Sequence, residues 1–235
     1  MPVAFITGAN RGIGLEHARQ YAAQGWEVHA CARAPERAQE LLAVKDRYRD
    51  AIHLHPLDVT DHSAVSRLAD NLNKVAIDVL LNNAGTFGPQ GAPQGMAYQS
   101  LQNMDFAVWR EILEVNLLGA FKVATAFRDQ VAASAMRLMV NMSSDLASIG
   151  HNQGSSYAYR TSKAGLNMLT TGMASEWSDI TVISMAPGWC KTDLGGADAP
   201  VEVADSVRDQ QALFPTLSQN DSGRFIDVQG DNVPW

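Results

Sequence analysis

The sequence predicts one doubly wound α/β domain, a mostly parallel sheet with helices on both faces. Three observations carry that expectation. Short apolar runs alternate along the chain with stretches of helical periodicity. A glycine-rich turn joins the first apolar run to the first helical stretch. No Ser/Pro-rich linker, charge block, low-complexity stretch or internal repeat divides the 235 residues, so a single domain is expected to span 1–235.

Val3–Ile6 reads as a buried strand, and the stretch from Ile13 to Ala23 sets Ile13, Ala18, Tyr21 and Ala22 at helical spacing. Trp26–Cys31 is a second strand, closed by Arg33-Ala34-Pro35. Pro35–Val44 reads as a helix opened by proline, whose missing N–H does no harm in a first turn. Ile52–Leu57 is a third strand, and Thr60-Asp61-His62-Ser63 offers a cap to a helix carrying Val65, Leu68 and Leu72. Ile77–Leu81 is a fourth strand. Asp105–Arg128 is a long helical region with a bend expected near Gly119. Arg137–Asn141 and Ile180–Ala186 are strands on either side of a long helix, Ser156–Trp177. Ala199–Leu213 reads as helical and Phe225–Val228 as a last short strand. In such a sheet ligands lie at the carboxyl ends of the strands.

Eighteen Lys and Arg against 25 Asp and Glu give a formal charge of −7, with no basic run, which argues against nucleic acid as a partner. Cys31 in an apolar run and Cys190 in a Pro-Gly loop do not make a disulfide framework. The first apolar run is too short for a signal peptide, and no apolar run approaches the ~20 residues that span a membrane. The expectation is a cytoplasmic protein without membrane association. No pairing of His53, His55 and His151 has the spacing of a metal site, and no metal is expected. Neither Ser143 nor Ser144 lies in a G-x-S-x-G elbow, which argues against a serine hydrolase.

Chemistry concentrates in two places. Thr7-Gly8-Ala9-Asn10-Arg11-Gly12-Ile13-Gly14 is a strand-to-helix turn whose glycines allow a sharp bend and close approach of a pyrophosphate to a helix N-terminus. An acid at the end of the second strand would bind an adenosine ribose and repel a 2′-phosphate. That position is Ala32 here, followed by Arg33, and a guanidinium suits a phosphate if it is not merely a solvated loop residue. The second place is Tyr159 and Lys163, four apart on one face of a helix. An ammonium beside a phenol favours the phenolate, which lowers the phenol's pKa toward a useful range. Tyr159 could then exchange a proton with a substrate oxygen. Tyr157 is a competing phenol, but the residue four on is Thr161, so it falls to the wall of the site or to packing. Val140-Asn141-Met142-Ser143-Ser144 ends the preceding strand and supplies a hydroxyl that can donate to developing charge.

The order of these motifs resembles the short-chain dehydrogenases/reductases over almost the whole chain. The matching residues are the glycine turn, Asp58-Val59, Asn82-Asn83-Ala84-Gly85, Asn116, the serine pair 143–144, Tyr159-x-x-x-Lys163, and Pro187-Gly188 followed by Thr192. Tyr157–Asn167 and the tail from Gly223 to Trp235 are most similar to the carbonyl-reductase-like subgroup that includes the C-factor and Sniffer proteins. The resemblance implies a Rossmann-type domain that moves a hydride between NADP(H) and a carbonyl or alcohol. It implies Asn116, Ser144, Tyr159 and Lys163 as catalytic residues, with Ser144 favoured over Ser143 by the strand-end pattern and Asn116 relaying protons through water to the lysine. It implies a cofactor site made of Gly8, Asn10, Arg11, Gly12, Ile13, Gly14, Arg33, Asp58, Val59, Asn83, Ala84, Gly85, Tyr159, Lys163, Pro187, Gly188 and Thr192. Arg11 would stand near the 2′-phosphate and Asp58 near the adenine amino group; from the residues alone Asp58 reads equally as a turn or cap aspartate. Phe87, Leu146, Trp189 and Leu194 are candidates for an apolar substrate pocket, and Gly195-Gly196 predict a mobile substrate lid within 189–214. The function expected is an NADPH-dependent carbonyl or aldehyde reductase. The alternatives are an alcohol dehydrogenase working in the oxidative direction and a cofactor-binding signalling or regulatory protein on the same fold. The long helices after Asp105 and around Ser156–Trp177 would pack against a second copy in a homodimer, although the subgroup includes monomers.

Overall fold

The computed structural model describes residues 1–92 and 94–235. Seven parallel strands form one sheet in the order β3-β2-β1-β4-β5-β6-β7. They are β1 Val3–Thr7, β2 Glu27–Ala32, β3 Ile52–Pro56, β4 Val79–Asn82, β5 Leu138–Met142, β6 Thr181–Ala186 and β7 Phe225–Asp227. The helices are α1 Gly12–Ala23, α2 Gln39–Tyr48, α3 His62–Asn71, α4 Phe106–Leu113, α5 Ala120–Ala126, α6 Arg128–Ala132, α7 Tyr157–Glu176 and α8 Val203–Leu213.

Successive strand residues feed two different cores, because side chains alternate across a sheet. Ala4, Ile6, Val28, Ala30, Leu81, Val140 and Met185 pack with Ala18, Tyr21, Leu41 and Phe214 on one face. Phe5, Cys31, Leu80, Met139 and Val182 pack with Val65, Ala69, Val123, Phe127 and Met173 on the other. Burial on both sides explains why the strands read as unbroken apolar runs. Strand order reverses between β1 and β4, so a crevice opens above Thr7 and Asn82 at their carboxyl ends.

Several boundaries differ from the sequence expectation. Pro35–Arg37 is only a 3₁₀ turn, and Ala38, at ψ 84, delays α2 to Gln39. The segment from Ala199 to Glu202 is not helical, and Val201 instead bridges to Cys190. The 105–128 region is helical over 106–126, with an irregularity that ends at Gly119. Six residues, Glu114–Gly119, form a π-helical turn between α4 and α5. Gly119 serves close approach, since a Cβ there would stand 2.9 Å from Val59 Cγ2. The irregular turn carries Asn116, whose carboxamide bonds the loop after β4, as described below.

Helices α1 and α8 meet through a wholly buried histidine. His17 Nε2 pairs with Gln210 Oε1 at 3.1 Å, and its Nδ1 with Gln211 Nε2 at 3.2 Å. A neutral ring with its proton on Nε2 satisfies both carboxamides. Burial lowers the His17 pKa from 6.5 to about 4. Between those values the unfolded chain binds a proton that the folded chain refuses. This contribution is complete above pH 6.5 and is lost as pH falls towards 4, amounting to about 3 kcal/mol. Urea unfolding at about pH 7 and about pH 4.5 should show that fall in the wild type and a shallower one in His17→Leu. Equal slopes in the two proteins would remove His17 from the acid response.

Candidate active site

The crevice between β1 and β4 is stitched by one threonine. Thr7 Oγ1 donates to Leu81 O at 3.3 Å and accepts from the backbone N–H groups of Asn83 and Ala84 at 3.1 and 3.0 Å. Asn83 Nδ2 donates back to Thr7 O and Gly8 O at 2.9 and 3.2 Å. The glycine turn fits under this clasp only without side chains. Gly8 has φ +67, and a Cβ at Gly14 would lie 2.4 Å from both Gly8 O and Asn83 Nδ2. Asn10 lies in the turn itself, and Ile13, in the first helical turn, packs half-buried against the core. The N-terminus of α1 has no side-chain cap and no acid in its first turn. Its free N–H groups and positive dipole end therefore face the crevice.

The two arginines behave differently. Arg33, directly after β2, is exposed and makes no hydrogen bond or ion pair with the described residues. Arg11, expected near the 2′-phosphate, pairs through Nη1 with Asp193 Oδ2 at 2.8 Å. Both members are exposed, and such pairs are weak enough to exchange partners. Asp58 Oδ1 accepts from the Thr60 N–H and hydroxyl at 3.0 and 2.7 Å, the turn arrangement that its residue type allows. Val59 beside it is buried against Gly119.

Tyr159 and Lys163 lie one turn apart on α7, both buried, with Lys163 Nζ 5.8 Å from the centre of the Tyr159 ring. Ser143 and Ser144 separate clearly. Ser143 is buried, and its hydroxyl donates to Asn167 Oδ1 at 2.7 Å within the core. Ser144 is half-buried, accepts from Leu146 N at 3.2 Å and faces the Tyr159 phenol. The phenol's pKa moves opposite to the sequence expectation. Burial pushes it up to about 12, against the pull of the Ser144 hydroxyl and with a smaller push from Asp145. Lys163 does not reverse this, because burial lowers its own pKa to about 8 and its ammonium donates to Met142 O at 2.7 Å.

Asn116 is fully buried beside this pair. Its Oδ1 accepts from Thr86 N at 2.8 Å, and its Nδ2 donates to Thr86 O and Ser162 Oγ at 2.9 and 3.0 Å. A Cβ on Gly85 would stand 3.4 Å from Asn116 Oδ1 and 3.5 Å from Lys163 Nζ, so Ala84-Gly85 passes directly over both. Sequence reasoning gave no role to Thr7, Thr86 and Ser162, which hold the motif residues. The signal was present for all three, since Thr7 opens the glycine turn, Thr86 directly follows the Asn-Asn-Ala-Gly motif and Ser162 directly precedes Lys163.

The apolar candidates divide. Phe87 is buried, with its ring centre 4.8 Å from that of Tyr159. Leu146 is half-buried next to Ser144. Trp189 is half-exposed and donates through Nε1 to Gly195 O at 2.7 Å. Leu194 O accepts from Ala92 N at 2.9 Å, so the 86–104 and 189–214 segments touch across the mouth of the site. Pro187 O accepts from Ser206 Oγ at 2.7 Å, and Gly188 has φ +79. A Cβ on Gly12 would meet Thr192 Cγ2 at 3.2 Å, which places Thr192 over the glycine turn. Gly195 is needed for close approach, a Cβ there falling 2.2 Å from Cys190 O.

His53 and His55 lie on β3, where Glu27 Oε1 joins His53 and His29, and His29 joins His55 at 2.9 Å. His151 lies in a loop. Among the described residues no group of three or more His, Cys, Asp or Glu could hold a metal ion, and no helix is long and apolar enough to cross a membrane.

A family model described as short chain dehydrogenase matches residues 2–201. The chain belongs to the short-chain dehydrogenase family. This short-chain dehydrogenase is 35% identical over 170 residues to the C-signal of Myxococcus xanthus, covering 71% of this chain and 98% of that one. Its structure is similar to the carbonyl reductase Sniffer of D. melanogaster, at TM-score 0.89 and 28% identity over the full length of both chains. It is also similar to an NADPH-bound carbonyl reductase from chicken fatty liver, at TM-score 0.87 and 29% identity, again over the full length of both.

Proposed function

We propose that this short-chain dehydrogenase is an NADPH-dependent reductase of aldehydes or ketones. The observation that carries the reading is the buried Tyr159 phenol, held protonated by its surroundings, with the Ser144 hydroxyl facing it and Lys163 one turn on. Protonated at neutral pH, the phenol can give its proton to a forming alkoxide, and the likeness to carbonyl reductases supports the reductive direction.

The chain's own residues fit a dinucleotide. The glycine turn makes a cradle that side chains would fill, and the uncapped N-terminus of α1 offers N–H groups to a pyrophosphate. Gly8, Asn10, Gly12, Ile13 and Gly14 would cradle it, with Thr192 above. Asp58 and Val59 would flank the adenine, and Asn83, Ala84 and Gly85 the ribose. Pro187 and Gly188 would meet the carboxamide, and Arg33, with Arg11 released from Asp193, the 2′-phosphate. The likeness to the NADPH-bound carbonyl reductase from chicken fatty liver supports that choice. When bound, the dihydronicotinamide supplies the hydride. Tyr159 donates its proton to the carbonyl oxygen, and Ser144 donates a hydrogen bond to the same oxygen. Lys163 holds the ribose hydroxyls and stabilises the phenolate left behind. Asn116, its carboxamide already engaged, acts through Thr86 by fixing the Asn83–Gly85 wall. Phe87, Leu146, Trp189 and Leu194 give the pocket an apolar lining.

A screen of NADPH consumption over aldehydes, ketones and quinones, with NADP⁺ reduction over the matching alcohols, tests this reading. Turnover of a carbonyl supports it, and turnover of alcohols alone assigns the oxidative direction. No turnover of either class would favour the second reading, a signalling protein on the same fold, which the likeness to the C-signal supports.

The partner reading is a homodimer through α4, α5 and α7. Phe106, Leu118, Phe121 and Met168 are exposed there, Phe106 and Met168 by 61% and 72%. Light scattering at micromolar concentration should give two chains per particle, and Phe121→Glu with Met168→Glu should give one. A wild type with one chain per particle would end the dimer reading.

A further inference from the structure

We propose that Gln99 is a positioning residue for proton transfer: it caps the Tyr159 helix from the 86–104 loop and so fixes where the phenol stands. The proposal rests on the reading of Tyr159 as proton donor. The first N–H groups of a helix have no partner within it and need one from elsewhere. Helix α7 has no cap of its own: Ser156 sits at its N-cap in the left-handed region, φ 50, with no side-chain hydrogen bond. Gln99 supplies what is missing. Its backbone carbonyl accepts from Tyr157 N at 3.1 Å, and its Oε1 accepts from the N–H of Tyr159 itself at 2.8 Å.

The other end of the same carboxamide holds the loop. Gln99 Nε2 donates to Phe87 O at 2.8 Å and to Gly95 O at 3.2 Å. Phe87 is the ring that packs 4.8 Å from the Tyr159 ring. Gln99 is fully buried, so each of these groups would otherwise lose its partner without gaining water. Only a carboxamide both accepts and donates at this reach, which explains glutamine rather than glutamate or a leucine-sized residue. One side chain thus ties the backbone of the reacting tyrosine to the loop expected to shape the substrate pocket. A movement of that loop reaches Tyr159 through the Gln99 carboxamide as well as through the Phe87 ring, and small displacements of a reacting group are expensive in rate.

Two measurements test this. Amide hydrogen exchange on the wild type reads the clamp without reference to activity. Tyr157 and Tyr159 N–H should exchange as slowly as the interior of α7, and exchange as fast as a frayed helix end overturns the proposal. Gln99→Met, of similar volume and without polar atoms, should lower kcat about ten- to a hundredfold while the NADPH Kd stays within about twofold. Gln99→Glu, which keeps the acceptor for Tyr159 N–H, should recover part of that loss. An unchanged kcat in Gln99→Met overturns the proposal, and so does loss of NADPH affinity in step with kcat, which marks a general structural role. A wild type that reduces no carbonyl would sink the functional reading, while slow exchange at Tyr159 would still establish the clamp.

Discussion

Tyr159→Phe is expected to lower kcat roughly 10²–10⁴-fold, the usual worth of a positioned acid, with the NADPH Kd nearly unchanged. The substitution removes one hydroxyl. It keeps the ring against Phe87, and the backbone bond from residue 159 to Gln99 does not involve the side chain. Tyr157 cannot stand in for it, since no lysine lies one turn on from it. In the wild type kcat for reduction should hold through neutrality and fall as pH rises past about 8. There Lys163 loses the charge that stabilises the phenolate, before the phenol itself titrates. Stopped-flow hydride transfer in the variant separates chemistry from product release. A variant that keeps most of its kcat would remove Tyr159 from the chemistry.

Arg33→Asp is expected to shift preference from NADPH towards NADH by roughly one to two decades in affinity, the equivalent of ~1.5–3 kcal/mol for a lost charge-assisted hydrogen bond. The wild-type guanidinium is exposed and has no partner among the described residues, so removing it breaks nothing in the fold. The new carboxylate would follow β2, where it can accept from a ribose hydroxyl. The loss of NADPH affinity should be partial, because Arg11 can exchange Asp193 for a phosphate. Fluorescence titration of both cofactors against both proteins reads the shift. A wild type that binds NADH as tightly as NADPH would show that neither arginine reads a 2′-phosphate.

What the sequence made legible is local geometry. Tyr159 and Lys163 share a helix face because they are four apart, and Gly8, Gly12 and Gly14 line one turn because they are close in the chain. The alternation of strands and helices was legible for the same reason. Contacts between distant segments were not. The Arg11–Asp193 pair and the Gln99 cap depend on how loops run, and nothing in their neighbours along the chain announces either. The strand-end pattern already favours Ser144 over Ser143, and the physical reason lies in the strand end, which turns one hydroxyl into the core and leaves the other at the crevice. The Tyr159 pKa was misjudged because spacing reveals a neighbouring charge but not the loss of water around both groups. A bend near Gly119 is legible in the sequence, but its form, a π-helical turn that carries Asn116, is not.

The π-helical turn at Glu114–Gly119 has a consequence for any attempt to make this chain more robust. Such a turn, closed by i→i+5 bonds, holds one residue more than the α-helical turn it interrupts. Deleting one residue there would merge the flanking helices into a continuous α-helix with a more regular hydrogen-bond ladder. It would also rotate Asn116 away from Thr86 and leave both amide groups of that contact without their partner. Regularity of the helix and placement of the wall over Lys163 are therefore opposed at this one point. A shortened variant selected for heat resistance would be expected to trade away the site that the extra residue holds open.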